Sequence, residues 1–451
     1  LKNYKRGGGM EELEGKKISE YNYEIEFIQI IKIFIYSFIG IIVFFIPIRL
    51  DGETKTLIYH IANKVQNQLM VLLQICIICF TAMGCFKSIL EYKRQNTNKL
   101  YVYIRFFSIL ILINLFFGKQ SCFFIKDNTA LLIKTVILDL ATVLPISAIF
   151  MPFLLEYGLM DIVEAYFQVK MKKIFKLSGK TIINILIYIF TDCFCGIFMT
   201  NKLYKDGKIR ANEASILSLN FSIMSFSMIN YISNELNLNK LQLVIIGALI
   251  LVLSNIILCR IRPLSKVKKS YFIKTSYKET RFRKNKFNNA INKYLKNRCD
   301  KNIFNHMIQS FEESVKIIMY IIPDIVIVLF LGDMIINSKL LIPNLVQLLS
   351  NAIKVLKLSG INQVSSIIVY GFFNDIIAID MVDKSIEYST RLLIGLIMIL
   401  KCTSLSSQIL YIKESQISIN MKQIFIIYIE KILIIMCIYL IMHYFYIGYI
   451  M

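Results

Sequence analysis

The sequence predicts an all-α polytopic membrane protein, with about nine transmembrane helices plus two re-entrant or broken helices in an inverted repeat. Three observations lead there. Hydrophobic residues make up 56% of the 451 residues and charged residues 18%, against roughly 25% charged in a soluble domain, and the mean hydropathy is +0.60. Apolar runs of about 20 residues, enough to cross a hydrocarbon core of about 30 Å, recur along the chain. Two further apolar stretches are interrupted near their middles by polar residues and hold corresponding places in two halves.

The elements follow in order. Residues 1–26 carry Glu11, Glu12, Glu14, Glu20, Glu24 and Glu26 among basic residues, without an apolar core or a small-residue cleavage site. They read as an N-terminal cytoplasmic tail, not a signal peptide. Residues 27–130 read as N-terminal membrane helices, with spans at Phe27–Ile48, Leu69–Leu90 and Tyr101–Phe117. A first repeat over 131–259 opens with Leu131–Leu155, which contains Pro145. An amphipathic stretch follows, with Leu159, Ile162, Val163, Tyr166 and Phe167 set against Lys170, Lys172, Lys173 and Lys176. It reads as a helix lying at the cytoplasmic surface. Then come the interrupted segment Ile182–Met199, with Thr191-Asp192 at its middle, and the spans Ala214–Ile232 and Leu241–Cys259. Residues 260–314 form a basic loop. A second repeat and C-terminal helices over 315–451 contain Val315–Ile336 with Pro323, the interrupted Val364–Met381 with Gly371, Asn374 and Asp375, and then Leu392–Ile412 and Ile424–Phe445. Lys176-Leu177-Ser178-Gly179 recurs as Lys357-Leu358-Ser359-Gly360, and each copy precedes an interrupted segment bearing an aspartate, Asp192 or Asp375.

Charge sets the orientation. The formal charge is +22, and Arg260 to Lys301 alone holds 15 Lys and Arg against Glu279 and Asp300, a net of +13. The positive-inside rule puts this loop in the cytoplasm of a multi-pass inner-membrane protein. If Ile182–Met199 dips in and returns, the basic segments Lys87–Lys99, Lys170–Lys180 and Lys202–Arg210 fall on the same side, and the two repeats run in opposite directions. The aromatic residues interleaved in the loop suit anionic lipid headgroups better than nucleic acid, which is not expected as a partner.

Candidate chemistry lies inside the apolar runs. A buried carboxylate is expensive unless protonated, paired or hydrated. Asp139, Asp192, Asp324, Asp333, Asp375, Asp380 and Glu430 lie in or beside such runs. Asp192 and Asp375 fall at helix breaks, where a carboxylate and freed backbone groups suit a coupling Na⁺ or proton; Glu430 beside Lys431 reads as a local pair. Ser215, Ser218, Ser222 and Ser225 recur at offsets of 0, 3, 7 and 10, one face of a helix. They read either as close helix packing or as a polar wall for a solute. The cysteines sit mostly in apolar runs and read as packing residues, so no metal site is expected; Cys193 and Cys195 beside Asp192 leave a soft-cation path as the alternative. His60, His306 and His443 are isolated from one another, and neither a Ser/His/Asp order nor a phosphate-cradling loop occurs, so no enzyme and no bound cofactor is expected.

Met151-Pro152-Phe153-Leu154-Leu155, Tyr157-Gly158-Leu159, the run Gly196 to Tyr204 with Gly207-Lys208 and Glu213-Ala214, and Asn220-Phe221-Ser222 together resemble the YjiH-like branch of the nucleoside-recognition, or Gate-domain, membrane proteins. Outlying segments similar to that branch include Ile46-Pro47-Ile48, Arg262-Pro263-Leu264, Thr390 to Gly395 and Ile429-Glu430-Lys431. The chain departs from the branch at Thr191-Asp192-Cys193, at Asn374-Asp375 and in the Ser404, Ser406 and Ser407 turn. The resemblance implies a carrier of a small polar, nucleoside-like solute. The residues themselves offer Asp192, Thr200, Asn201, Ser218, Ser222 and Asn374 as candidate solute contacts and Asp192 and Asp375 as candidate ion-coupling groups, and a homo-oligomer is compatible with the reading. Ferrous-iron or other metal permeation and a non-transporting, sporulation-linked scaffold stay open as alternatives.

Overall fold

The computed structural model of the protein describes residues 29–50, 53–93, 99–118, 127–224, 226–273, 285–297, 302–338, 341–354, 360–401, 408–417 and 419–450. The tail 1–26, Asp51-Gly52, Ser225, Lys357 to Ser359, Cys402, the Ser404–Ser407 turn and the middle of the basic loop lie outside them.

With no water in the hydrocarbon to satisfy backbone N–H and C=O groups, an apolar chain is driven into helices, and helices dominate the described residues. Six are long and apolar enough to cross a membrane: α3 (Met70–Lys93), α4 (Lys99–Phe117), α5 (Asp127–Phe150), α12 (Lys240–Leu258), α14 (Ile303–Ile336) and α20 (Met421–Ile450). The protein is therefore a helical, multi-pass membrane protein. Residues such as Phe86, Leu110, Leu249 and Phe425 point outward from these helices, as lipid contact demands.

Two of the expected spans are seen to come out differently. Phe27–Ile48 becomes α1 (Gln29–Phe45) followed by an antiparallel hairpin of β1 (Pro47–Leu50) and β2 (Glu53–Thr56), which leads into α2 (Leu57–Gln68). Pro47 is the cause, because proline donates no N–H and disfavours helix in the residue before it. Ala214–Ile232 is two helices, α10 (Ala211–Asn220) and α11 (Phe226–Glu235). Leu392–Ile412 falls on α18 (Tyr388–Lys401) and α19 (Gln408–Glu414), with 402–407 outside the described residues.

The interrupted segments are broken where their polar residues fall. Ile182–Met199 forms α8 (Thr181–Phe190) and α9 (Cys193–Lys205), and Val364–Met381 forms α16 (Ile361–Phe373) and α17 (Asp375–Asp380). Each pair follows a proline-bearing helix, α5 or α14, and an amphipathic one, α7 (Leu159–Ile174) after the short α6 (Pro152–Leu155) or α15 (Leu341–Ile353). Helices of like position meet: α5 packs on α14, and α12 on α20. Within the basic loop, α13 (Lys286–Asn297) lies along α7.

Two apolar cores result. The larger gathers Phe44, Ile77, Leu144, Ile197, Leu217 and Ile322 around α5, α14 and the α8–α9 pair. The smaller gathers Leu243, Ile250, Ile367, Leu393 and Met436 around α12, α16, α18 and α20.

Candidate functional site

Of the site candidates, Asp192 and Asn374 lie at helix breaks, Ser222 just beyond the end of α10, and Thr200, Asn201 and Ser218 inside helices. At the first break, Thr191 and Asp192 leave helical geometry, Asp192 with φ −160° and ψ 157°. The Asp192 carboxylate accepts the Cys193 N–H at 2.6 Å and so caps α9, satisfying an orphan donor that a break in lipid would otherwise expose. The phenol of Tyr59, on α2, donates to the Thr191 carbonyl at 2.9 Å, and Ser147 Oγ lies 3.1 Å from Cys195 Sγ. Gln66 of α2 donates to Asp139 at 3.1 Å and to Thr142 at 2.8 Å. Thus α2 lays a row of polar groups over α5 and the break.

Thr200 holds the hairpin together. Its hydroxyl receives Asn184 Nδ2 at 2.6 Å, meets the Tyr188 hydroxyl at 3.1 Å and donates to the Gly196 carbonyl at 2.8 Å. Any Cβ at Gly196 would meet the Tyr188 ring, so the two half-helices touch there. Asn201, one residue on, accepts the Gln416 N–H at 3.2 Å, tying α9 to the chain just past α19.

At the second break the cap is Asn374, with φ −147° and ψ 113°. Its Oδ1 accepts the N–H groups of Ile376 and Ile377 at 3.0 and 3.2 Å. Its Nδ2 reaches Thr129 Oγ1 at 3.4 Å; Thr129 in turn donates to Asp333 at 2.6 Å, and Asn337 donates to the other oxygen of that carboxylate at 3.1 Å. Asn374, not Asp375, is therefore the positional counterpart of Asp192. Asp375 is the first residue of α17, where its charge suits the helix N-terminus.

The serine row does not run along one continuous helix. Ser215 and Ser218 turn their hydroxyls back to the carbonyls of Ala211 and Ala214 at 2.9 and 2.8 Å. Ser222 is buried beyond the end of α10, and Ser225 lies outside the described residues.

A cavity of about 290 Å³ opens beside α9, lined among others by Asn201, Lys202, Lys205, Glu313, Tyr320 and Glu414. It lies toward the basic loop, since the turn after α9 is held there: Tyr204 meets the Phe272 ring, and Ala211 N–H donates to Ser270 O at 2.8 Å. Lys202 Nζ donates to Ser310 and stands 3.7 Å from Glu313. Lys208 pairs with Glu156 at 2.8 Å. Burial raises the Glu156 carboxyl, but Lys208, together with Lys202 and His306, outweighs this and holds it below its ordinary value.

Arg105 and Asp324, which lie in two separate apolar runs with no local pattern linking them, meet in the fold. Arg105 is 1% exposed; its Nε and Nη2 donate to Asp324 at 2.6 and 3.0 Å, Nη2 also reaches Tyr320 O at 2.7 Å, and Tyr101 donates to Asp324 at 2.9 Å. The available signal was opposite charge in two runs that both avoid charge. Lys431, which its sequence neighbourhood pairs with Glu430, instead turns inward to the end of α10. Among the described residues, no group of three His, Cys, Asp or Glu side chains is gathered closely enough to hold a metal ion.

The chain is 29% identical over 147 residues to an uncharacterized protein of Alkalihalophilus pseudofirmus, a match covering 31% of each chain. It thus spans about a third of that relative's length. No family model and no solved structure matches.

Proposed function

We propose that the protein is a cation-coupled carrier of a small polar solute, nucleoside-like as its resemblance to the Gate-domain proteins suggests, and not an enzyme. The observation that carries this reading is the pair of broken helices, each with a polar cap at the break, Asp192 or Asn374, set in two halves whose equivalent helices pack on each other. A scaffold needs no such interruption, which exposes backbone groups at membrane depth; a carrier uses them to face solute and ion. In this arrangement the six long helices, with shorter apolar helices such as α1 and α18 completing about nine crossings, and two re-entrant hairpins place the basic loop in the cytoplasm of an inner-membrane protein. Asp192 supplies the carboxylate for Na⁺ or a proton, the Asn374–Thr129–Asp333 chain lines the opposite approach, and the cavity beside Asn201 is the cytoplasmic vestibule.

The test is uptake into proteoliposomes across a panel of nucleosides, bases and amino acids under imposed Na⁺ or proton gradients. Gradient-driven uptake is expected for one solute class, with Asp192→Asn expressed and folded normally but no longer driven by the gradient. If no solute accumulates and Asp192→Asn changes nothing in any flux assay, the scaffold reading replaces this one.

A further inference from the structure

The end of α10 has an unusual occupant. Its last carbonyls carry the partial negative charge of a helix C-terminus, and inside a membrane protein they need donors or a cation. Phe221 N–H returns to Leu217 O at 3.4 Å. The carbonyls of Leu219 and Asn220 instead receive Lys431 Nζ at 3.2 and 2.9 Å. Lys431 comes from the middle of α20, more than 200 residues away, and is 1% exposed.

Both oxygens that Lys431 Nζ is seen to reach are neutral backbone carbonyls. Asn220 is fully buried and its Oδ1 has no partner, while its Nδ2 makes only a 3.9 Å approach to Cys259 Sγ. Asn255, one turn before Cys259 on α12 and so on the same face, is fully buried with neither side-chain polar atom partnered. Backbone carbonyls at a helix break, the buried amide oxygen of Asn220 itself and full burial are the kind of donor set with which discontinuous membrane helices hold a monovalent cation.

We infer that the α10–α11 break is a monovalent-cation site permanently filled by a tethered cation, the ammonium of Lys431. A covalently held ammonium spends no translational entropy on binding and does not leave with the solute. The break is therefore held in one geometry at any external ion concentration, whether or not the chain transports.

The prediction is chemical rescue. Lys431→Ala in lipid nanodiscs, in choline buffer, should melt several degrees below wild type. Methylammonium should restore at least half of the loss, and tetramethylammonium, which has no N–H, should restore none. Wild type should not respond to methylammonium. A Lys431→Ala protein indifferent to methylammonium and Na⁺, or a Lys431→Met protein as stable as wild type, would overturn the inference. If Lys431→Ala is not recovered from membranes, Lys431→Arg, which keeps charge and donors, should be recovered in several-fold greater yield than Lys431→Met; equal yields would overturn it too.

Discussion

Arg105 and Asp324 show what a single buried charge demands. Either alone in this setting would be an uncompensated ion, so Arg105→Ala or Asp324→Ala should each cost about 3–5 kcal/mol of stability. The double change Arg105→Met with Asp324→Leu should recover most of that, a comparison readable by thermal melting. Gly196 makes the opposite point, since its value is its lack of a side chain. Gly196→Ala drives a methyl into the Tyr188 ring and should cost about 1–3 kcal/mol by overpacking, loosening the α8–α9 hairpin. Lys180, at the foot of that hairpin, carries a pH signature. Burial lowers its ammonium from the ordinary 10.5 to about 8, against the pull of Glu164 and Asp161 and with Lys293 and Lys208 assisting. The folded value lies below the unfolded one, so the fold bears a penalty below pH 8 that is relieved as pH rises from about 8 to 10.5. Wild type should therefore gain stability relative to Lys180→Met as pH rises through that window, and a flat difference would refute the assignment.

At the scale of elements, the basic loop holds on to the first repeat through α13. Lys293 bonds Glu164 at 2.8 Å and stands 3.4 Å from Asp161, while Lys180 approaches the same Glu164 at 3.7 Å. Lys293→Ala should raise amide hydrogen exchange in α13 several-fold and leave α3 and α4 unchanged. The breaks divide sharply in how legible they were. Thr191-Asp192 and Asn374 announce themselves because an Asx residue in an apolar run prefers to cap rather than continue a helix. The identity of the second cap was misplaced by one residue, since an aspartate looks more costly in lipid than an asparagine. The end of α10 was hidden. Its serines keep helical spacing and no proline or glycine intervenes, so the local pattern favours a continuous span; the donor that stabilises the break arrives from α20, and no window of sequence contains both.

For the molecule as a whole, orientation is the first thing to measure. Reporter tags after Arg94 and within 266–298 should both read cytoplasmic, because exporting a segment of net +13 opposes the positive-inside bias; an external reading of either would invert the arrangement of the halves. The long helices were legible from hydropathy, whereas their partners were not. Three ties fasten α3 and α4 to α14 at one level: Gly84 against the Met319 backbone, Lys87 at 3.9 Å over the Tyr320 ring, and Arg105 to both Asp324 and Tyr320. Kinematics then departs from chain order. Any tilt of α14 must drag α3 and α4 along, so two helices that precede the first repeat are bound to an element of the second. A disulfide crosslink engineered between α3 and α14 near Gly84 should therefore leave the thermal stability and any solute uptake of the protein unchanged, because it fixes a contact the fold already holds at three points.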